Sequence, residues 1–483
     1  MTQPAPVIVW LRDDLRLDDN PALLAAVDTG APLVVIFCQD GAADRPLGGA
    51  SRWWLHHSLA ALGGELAARG AALTLLAGHA HATLCQLAQS LGAQAVFWNR
   101  RYTRAGIAQD SAIKADLKAA GIEARSFNAN LLHEPWTLKT GSGGPYRVFT
   151  PFSRAARAAG MVARPVLAPL RLNGFEGRPK GLSLDDLNLA PRKPDWSAGL
   201  AARWRPGSAG GQRRLESFLQ ARLSRYSDAR DLPGQDGTSG LSAHLRFGEI
   251  SPRQVWHAAL ACDAPSEAVF KFHQELLWRE FSYHLLYHFP DLGSANHQPK
   301  FDAFPWADSG KYPARGQLTA WQRGQTGYPI VDAGMRELWH TGIMHNRVRM
   351  IVASFLVKHL LIDWRIGEAW FWDTLVDADP ASNAASWQWV AGSGADAAPY
   401  FRVFNPILQG EKFDGQGTYV RRWVPELASL PQKVLHRPWE APGDVLGQAG
   451  VVLGKSYPPP IVDHATARQR ALDAYKALPA APQ

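Results

Sequence analysis

Two stretches of this sequence carry chemically able side chains at helical spacing. Glu275, Trp278, Arg279 and Ser282 stand at offsets of 3, 4 and 7, and Asn346, Arg349, Met350 and Ala353 repeat that pattern. Such offsets put each set on one helix face. A face offering carboxylate, guanidinium, amide and indole can grip the polar rim of a heteroaromatic ring; by spacing alone, a salt-bridged stripe is the commoner origin. Two loops add weight to the first reading. GTSGLS at 237–242, with Tyr226 upstream, offers the backbone N–H groups and hydroxyls that cradle phosphate. VDADPASNAASWQW at 376–389 sets Asp377, Asp379 and Asn383 just before Trp387 and Trp389. Its plainer reading is an Asx-rich turn before a buried strand or helix.

Those residues need elements to hold them. Between 6 and 130, β-branched runs such as PVIVWLRDD, PLVVIFCQD and AVFWNRRY alternate with amphipathic segments, which predicts βαβ units around a parallel sheet. Glycines 30, 70, 92 and 121 fall where helices should stop, and Ser51 where one should start. Residues 131–205 are rich in Pro, Gly and Arg and read as a connecting segment. From 206 to 475 the period is helical, in segments such as SEAVFKFHQELLWREFSYHLLYHF and MHNRVRMIVASFLVKHLL. The expected architecture is α/β plus all-α: a Rossmann-like parallel-sheet domain at 1–130, a linker at 131–205 and a helical domain at 206–475.

Composition narrows the function. The 483 residues carry 51 Lys and Arg against 43 Asp and Glu, a net charge of +8, which suits a polyanionic partner. Cys38, Cys85 and Cys262 stand apart, too few for a four-thiolate cluster, and no H-E-x-x-H occurs, so catalysis by a metal is not expected. No apolar run approaches the ~20 residues of a membrane span, and the reading is a soluble, cytoplasmic protein without membrane contact. No G-x-G-x-x-G follows the first strand, and GVVLGKS at 450–456 is one residue short of a phosphate loop. Tryptophan is in excess: 12 of 19 lie between Trp256 and Trp439. Beyond packing, so many indoles suit an aromatic cofactor, base stacking or electron transfer.

Long motifs then become recognisable. TGYPIVDAGMRELWHTG, MHNRVRMIVASFLVKHLLIDWR, DADPASNAASWQWVAGSGADAAPYFRVFNP and QGEKFD closely resemble the DNA photolyase and cryptochrome family, and within it the bacterial class I photolyases for cyclobutane pyrimidine dimers. The resemblance runs from VWLRDDLRLDDNPAL to PIVDHATAR, nearly the whole chain.

The resemblance implies FAD folded into a U in the helical domain, reduced and anionic when active. Tyr226, Thr238, Ser239, Leu241 and Ser242 are implied at the diphosphate, Arg349 paired with Asp377, Asp379 at the flavin's polar edge or ribityl chain, and Asn383 at the ring nitrogen protonated in the reduced form. Glu275, Trp278, Arg279 and Asn346 count among the cofactor's contacts as well. For the flipped-out dimer, Glu275 and Asn346 are implied as hydrogen-bond partners, Trp278 and Trp389 as packing indoles and Met350 as lining. Arg230, Arg347 and Arg402 are implied at DNA phosphates. Trp387 and Trp364 match an electron path, whose outer member falls to Trp306 or Tyr312, since Lys311 stands where relatives have Trp. The implied reaction is light-driven electron transfer to the dimer and back, by a monomer acting on damaged DNA.

Some positions depart from the pattern. Gly240 stands where relatives often carry Arg, and Ala384 to Ser386 replace Asn-Gly-Gly. Ala105 and Gly106 replace the Asn-Glu pair of folate-binding members, so the resemblance implies a deazaflavin, another flavin or no antenna rather than folate. Three alternatives stand beside this reading: a cryptochrome-like photoreceptor, disfavoured by Asn346 and the short tail; a 6-4 photolyase, disfavoured by Asn346 and Met350 where histidines are expected; and a flavin oxidoreductase, which would turn over NAD(P)H.

Overall fold

A computed structural model describes residues 4–41, 45–177, 179–397 and 401–479. The chain forms two compact units, each assembled from separate stretches. The first comprises residues 1–146, 150–223 and 239–290; the second comprises 147–149, 224–238 and 291–483.

The first unit is built on five parallel strands: β1 (Val7–Leu11), β2 (Leu33–Asp40), β3 (Leu73–Gly78), β4 (Ala95–Asn99) and β5 (Glu123–Phe127). Their order is β3-β2-β1-β4-β5, with Val7 in register with both Leu33 and Ala95. All five residues of β1 are buried, as a central parallel strand covered on both faces requires, whereas edge strand β5 (EARSF) stays partly exposed. Between the strands run α1 (Pro21–Val27), α2 (Gly49–Ala68), α3 (Ala80–Ser90) and α4 (Arg104–Ala119). Glycines 30, 70, 92 and 121 all have positive φ at the helix ends, where a side chain would be strained. Ser51 is not a cap: α2 begins two residues earlier after Gly48, and Ser51 is buried within its first turn.

Just past β1 and β4, polar side chains satisfy one another. Arg12 bonds Asp110 and the Asn99 carbonyl at 2.7 and 2.5 Å, and Asn99 Nδ2 donates to Asp14 and Asn20 at 2.6 and 2.7 Å. Doubly wound sheets usually take ligands at this reversal of strand order. Part of the Pro-rich stretch also follows the sheet, with Leu33 and Leu75 bridging Gly174 and Leu182. The 23-residue helix Ser266–His288 belongs to this unit.

The second unit is helical. Its core packs Trp321, Tyr328, Trp364, Trp372 and Trp387 with aliphatic side chains from several helices. The MHNRVRMIVASFLVKHLL segment does not keep one period: an α-helix over Asn346–Ser354 widens into a π-turn over Phe355–His359. Lys358 in that turn is buried, donating to the Arg402 carbonyl at 2.5 Å with its ammonium 4.4 Å from the Phe401 ring.

Candidate flavin and DNA-lesion site

In the second unit, three segments carry the polar residues picked out from sequence: the helices Asn346–Ser354 and Ser382–Ala391, and the turn between Thr374 and Ser382. Arg349 Nη2 reaches both oxygens of Asp377 at 3.1 and 2.9 Å, and its Nε donates to the Met344 carbonyl at 2.8 Å. The guanidinium is thereby fixed in place, and Asp377 is 8% exposed. Asp379 closes an Asx turn: Oδ1 accepts from Ala381 N and Ser382 N at 3.0 and 2.7 Å, just before the helix Ser382–Ala391, as the plainer reading of this stretch has it.

Asn383 has a partner that sequence reasoning missed. Its Nδ2 donates to Glu368 Oε1 at 2.7 Å and to the Glu368 carbonyl at 3.1 Å, both groups being buried. A carboxylate accepts only, so the amide nitrogen must face it and Oδ1 must face away as an acceptor. Glu368 lies one turn after Trp364 on the helix Trp364–Thr374, a spacing that shows helical proximity but not the link to Asn383. Gly367, its neighbour, lets Trp387 close in: a Cβ there would stand 2.2 Å from the indole ring.

Trp387 packs edge-on against Phe371 and Trp321, at centroid distances of 5.0 and 6.3 Å. Its indole N–H is buried and has no hydrogen-bond partner among the described residues. Trp364, fully buried in the same cluster, donates to Asn296 Oδ1 at 2.9 Å. Trp306 packs against that cluster, whereas Tyr312 is 92% exposed. Met350 and Trp389 are half-buried at its edge, and Asn346 is exposed at a helix start. His345, the cap residue, accepts from Arg347 N at 3.2 Å, and burial holds its imidazole down at about 4 despite Asp231, so it is neutral near pH 7.

The expected phosphate-binding cations have protein partners. Arg347 Nη2 donates to Asp231 at 2.8 Å and its guanidinium lies 4.3 Å from the Phe413 ring centroid. Arg230 lies 5.6 Å from the ring of buried Tyr226, and its Nε is 3.7 Å from Asp231. Arg402 is exposed, its guanidinium 5.0 Å from the Phe404 ring. Thr238 is half-buried in the loop after Arg230.

The first unit holds the remaining residues. Ser239 is half-buried, Leu241 buried and Ser242 exposed at the start of a short helix. Gly240 adopts φ +64, and a Cβ there would stand 2.2 Å from Arg214, whose Nε donates to the Ser239 carbonyl at 3.1 Å. A guanidinium therefore stands beside position 240 after all, supplied from a distant helix. On the helix Ser266–His288, Glu275, Trp278 and Arg279 are half-buried on one side, and Arg279 donates to the Asn130 carbonyl at 2.6 Å.

A family model described as DNA photolyase matches residues 7–170, and one described as the FAD binding domain of DNA photolyase matches 272–477. The chain is 56% identical over 476 residues, 98% of both chains, to a deoxyribodipyrimidine photo-lyase of Agrobacterium fabrum. It is 40% identical to cryptochrome-1 of Arabidopsis thaliana, covering 95% of this chain and 69% of that one. The solved structure of a bacterial class III photolyase from Agrobacterium tumefaciens superposes with a TM-score of 0.95 at 56% identity, covering 99% and 98% of the two chains. That relative is a class III photolyase, not one of the class I photolyases that the sequence resembled.

Proposed function

Because this chain belongs to the DNA photolyase and cryptochrome family, we propose that it is a deoxyribodipyrimidine photo-lyase, repairing cyclobutane pyrimidine dimers in DNA with light and FAD. The observation that carries the cofactor assignment is the Glu368–Asn383 pair beside Trp387, whose indole N–H is buried without a hydrogen-bond partner among the described residues. Reduced FAD, when bound, supplies the excited electron that opens the cyclobutane ring and then receives it back.

The chain's own residues prepare that chemistry. Glu368 fixes the Asn383 amide so that its oxygen can accept from an N–H of a reduced flavin, and an amide adds no competing negative charge. Arg349, held by Asp377 and the Met344 carbonyl, supplies positive charge for an anionic ring. Tyr226, Thr238, Ser239, Leu241 and Ser242 serve the diphosphate, with Asp379 at the polar edge or ribityl chain. Glu275 and Asn346 hydrogen-bond the dimer, Trp278 and Trp389 pack on it, and Met350 lines the site. Glu275, Trp278, Arg279 and Asn346 also touch the cofactor. A lesion that is already poorly stacked flips out at lower cost than intact bases, which favours damage over normal sequence. Arg230, Arg347 and Arg402 meet DNA phosphates, and Arg347 must exchange Asp231 to do so. Trp387, Trp364 and Trp306 relay electrons to oxidised cofactor; the burial of the first two, and the packing of Trp306 on their cluster, support that order over one ending at exposed Tyr312.

In this reading residues 1–130 form the antenna-type domain, 131–205 the connecting segment and 206–475 the domain for cofactor and lesion. The antenna is a deazaflavin, another flavin or none. The protein works as a cytoplasmic monomer on damaged DNA; among the described residues no helix is long and apolar enough to cross a membrane. The test is repair by reduced, illuminated protein of defined oligonucleotides carrying either a cyclobutane dimer or a 6-4 photoproduct. Repair of the first alone is expected. Repair of the 6-4 lesion would reverse the substrate assignment, and no repair with FAD bound would favour the photoreceptor reading suggested by the cryptochrome relative.

A further inference from the structure

Far along the sequence from the cofactor residues, α3 and α4 bring three metal-ligating side chains together. His81 and Cys85 are one turn apart on α3, and Asp116 lies in the last turn of α4. One ligand atom from each falls within 4.8 Å of the others, and His81 Nε2 already lies 2.8 Å from Asp116 Oδ2. We propose that His81, Cys85 and Asp116 form a zinc site that staples α3 to α4, with water as fourth ligand.

Four observations support it. First, the frame is rigid. Leu84 beside Cys85 and Leu117 beside Asp116 are buried in one core cluster with β1 residues Ile8 and Trp10, so the two helices present their ligands from a fixed base. Second, the distances are within rotamer reach. Tetrahedral zinc with bonds of ~2.0–2.3 Å places its ligand atoms about 3.3–3.7 Å apart. The imidazole and carboxylate must part slightly to admit the ion, and the sulfur must close in by about 1 Å at most. Third, the site is open on one side: the side chains of His81 and Asp116 are 39% and 62% exposed, which leaves room for a solvent ligand and an entry path. Fourth, thiolate, imidazole and one carboxylate suit zinc rather than magnesium or calcium, which take oxygen ligands. As the Zn–S bond forms, the thiol proton passes to solvent. The bound set of Zn²⁺, thiolate, carboxylate and neutral imidazole then sums to zero charge. The cysteine count excludes a four-thiolate cage, and this mixed set is a different kind of site.

The competing reading is a surface His–Asp ion pair with Cys85 as bystander. Metal-stripped, full-length protein with oxidised FAD separates the two. Calorimetric titration with Zn²⁺ should give one site per chain, weakened at least tenfold in each of Cys85→Ser, His81→Gln and Asp116→Asn. Co²⁺ should give tetrahedral d–d bands in the red, clear of oxidised flavin, that vanish in Cys85→Ser. Zn²⁺ should also protect Cys85 from alkylation, read on its peptide by mass spectrometry. Unchanged light-dependent repair in the three variants shows that they fold. Zinc affinity equal in wild type and Cys85→Ser, or no zinc binding by folded wild type, overturns the site.

Discussion

Replacing Asn383 with Asp turns the amide–carboxylate contact into a collision of two buried acids. In the wild type, Asn383 Nδ2 lies 2.7 Å from Glu368 Oε1, with Glu368 4% and Asn383 8% exposed. Two ionised carboxylates at that distance would repel by about 6 kcal/mol at an effective dielectric of ~20. The pair can instead share one proton. Holding a proton on a carboxyl of ordinary pKa near ~4 at pH 7 takes about three pKa units, or ~4 kcal/mol, less than the repulsion. The folded variant therefore carries a proton that its unfolded chain has released. Its destabilisation relative to wild type grows by up to ~1.4 kcal/mol per pH unit from about pH 4.5 to 7, and shrinks again in acid. Thermal or urea unfolding of both proteins at several pH values measures the slope. A second variant, Asn383→Asp with Glu368→Gln, restores an amide facing a carboxylate and should abolish the slope. A destabilisation that is flat across pH in the single variant would refute the pairing.

Four further outcomes follow from the same structure. Burial holds Lys358 down at about 7 from 10.5. Between those values the unfolded chain binds the extra proton, so wild-type stability should rise with pH by ~1.4 kcal/mol per unit at most; Lys358→Met should lose that rise in a pH series of unfolding curves. Trp387→Phe should slow photoreduction of oxidised FAD by at least tenfold while repair by chemically reduced protein persists, as transient absorption and a repair assay would show. Gly367→Ala sets a Cβ 2.2 Å from the Trp387 ring and should cost about 1–3 kcal/mol in stability and displace the indole, slowing photoreduction in parallel. Glu275→Ala should weaken dimer binding and repair by ~1–3 kcal/mol in protein that still holds FAD; equal affinity for the dimer in that variant would remove Glu275 from the lesion contacts.

What could be read from sequence was local. The β-branched runs and the glycines at 30, 70, 92 and 121 marked strands and helix stops because those preferences act within a few residues. The contiguous motifs around Asn346 and Asn383 identified the family, since their order along the chain is itself the signal. Ser51 failed as a start because a buried position in α2, rather than a capping preference, decided where that helix begins. The π-turn at Phe355–His359 was not legible either, because the period of the sequence continues through it while Lys358 finds its partner 44 residues away.

The site residues were named from sequence, but their orientation was not. Which way the Asn383 amide faces depends on Glu368, where the Arg349 guanidinium is held depends on Asp377 28 residues on, and the charge beside Gly240 depends on Arg214 from another helix. Asp231 holds Arg347 across 116 residues. Spacing on one helix placed His81 beside Cys85, yet Asp116 reaches them only because α3 and α4 pack into one core. Sequence periodicity determines which face of an element is polar. Which distant groups meet on that face is decided by packing, because a buried donor, acceptor or charge must find its partner wherever the fold brings one.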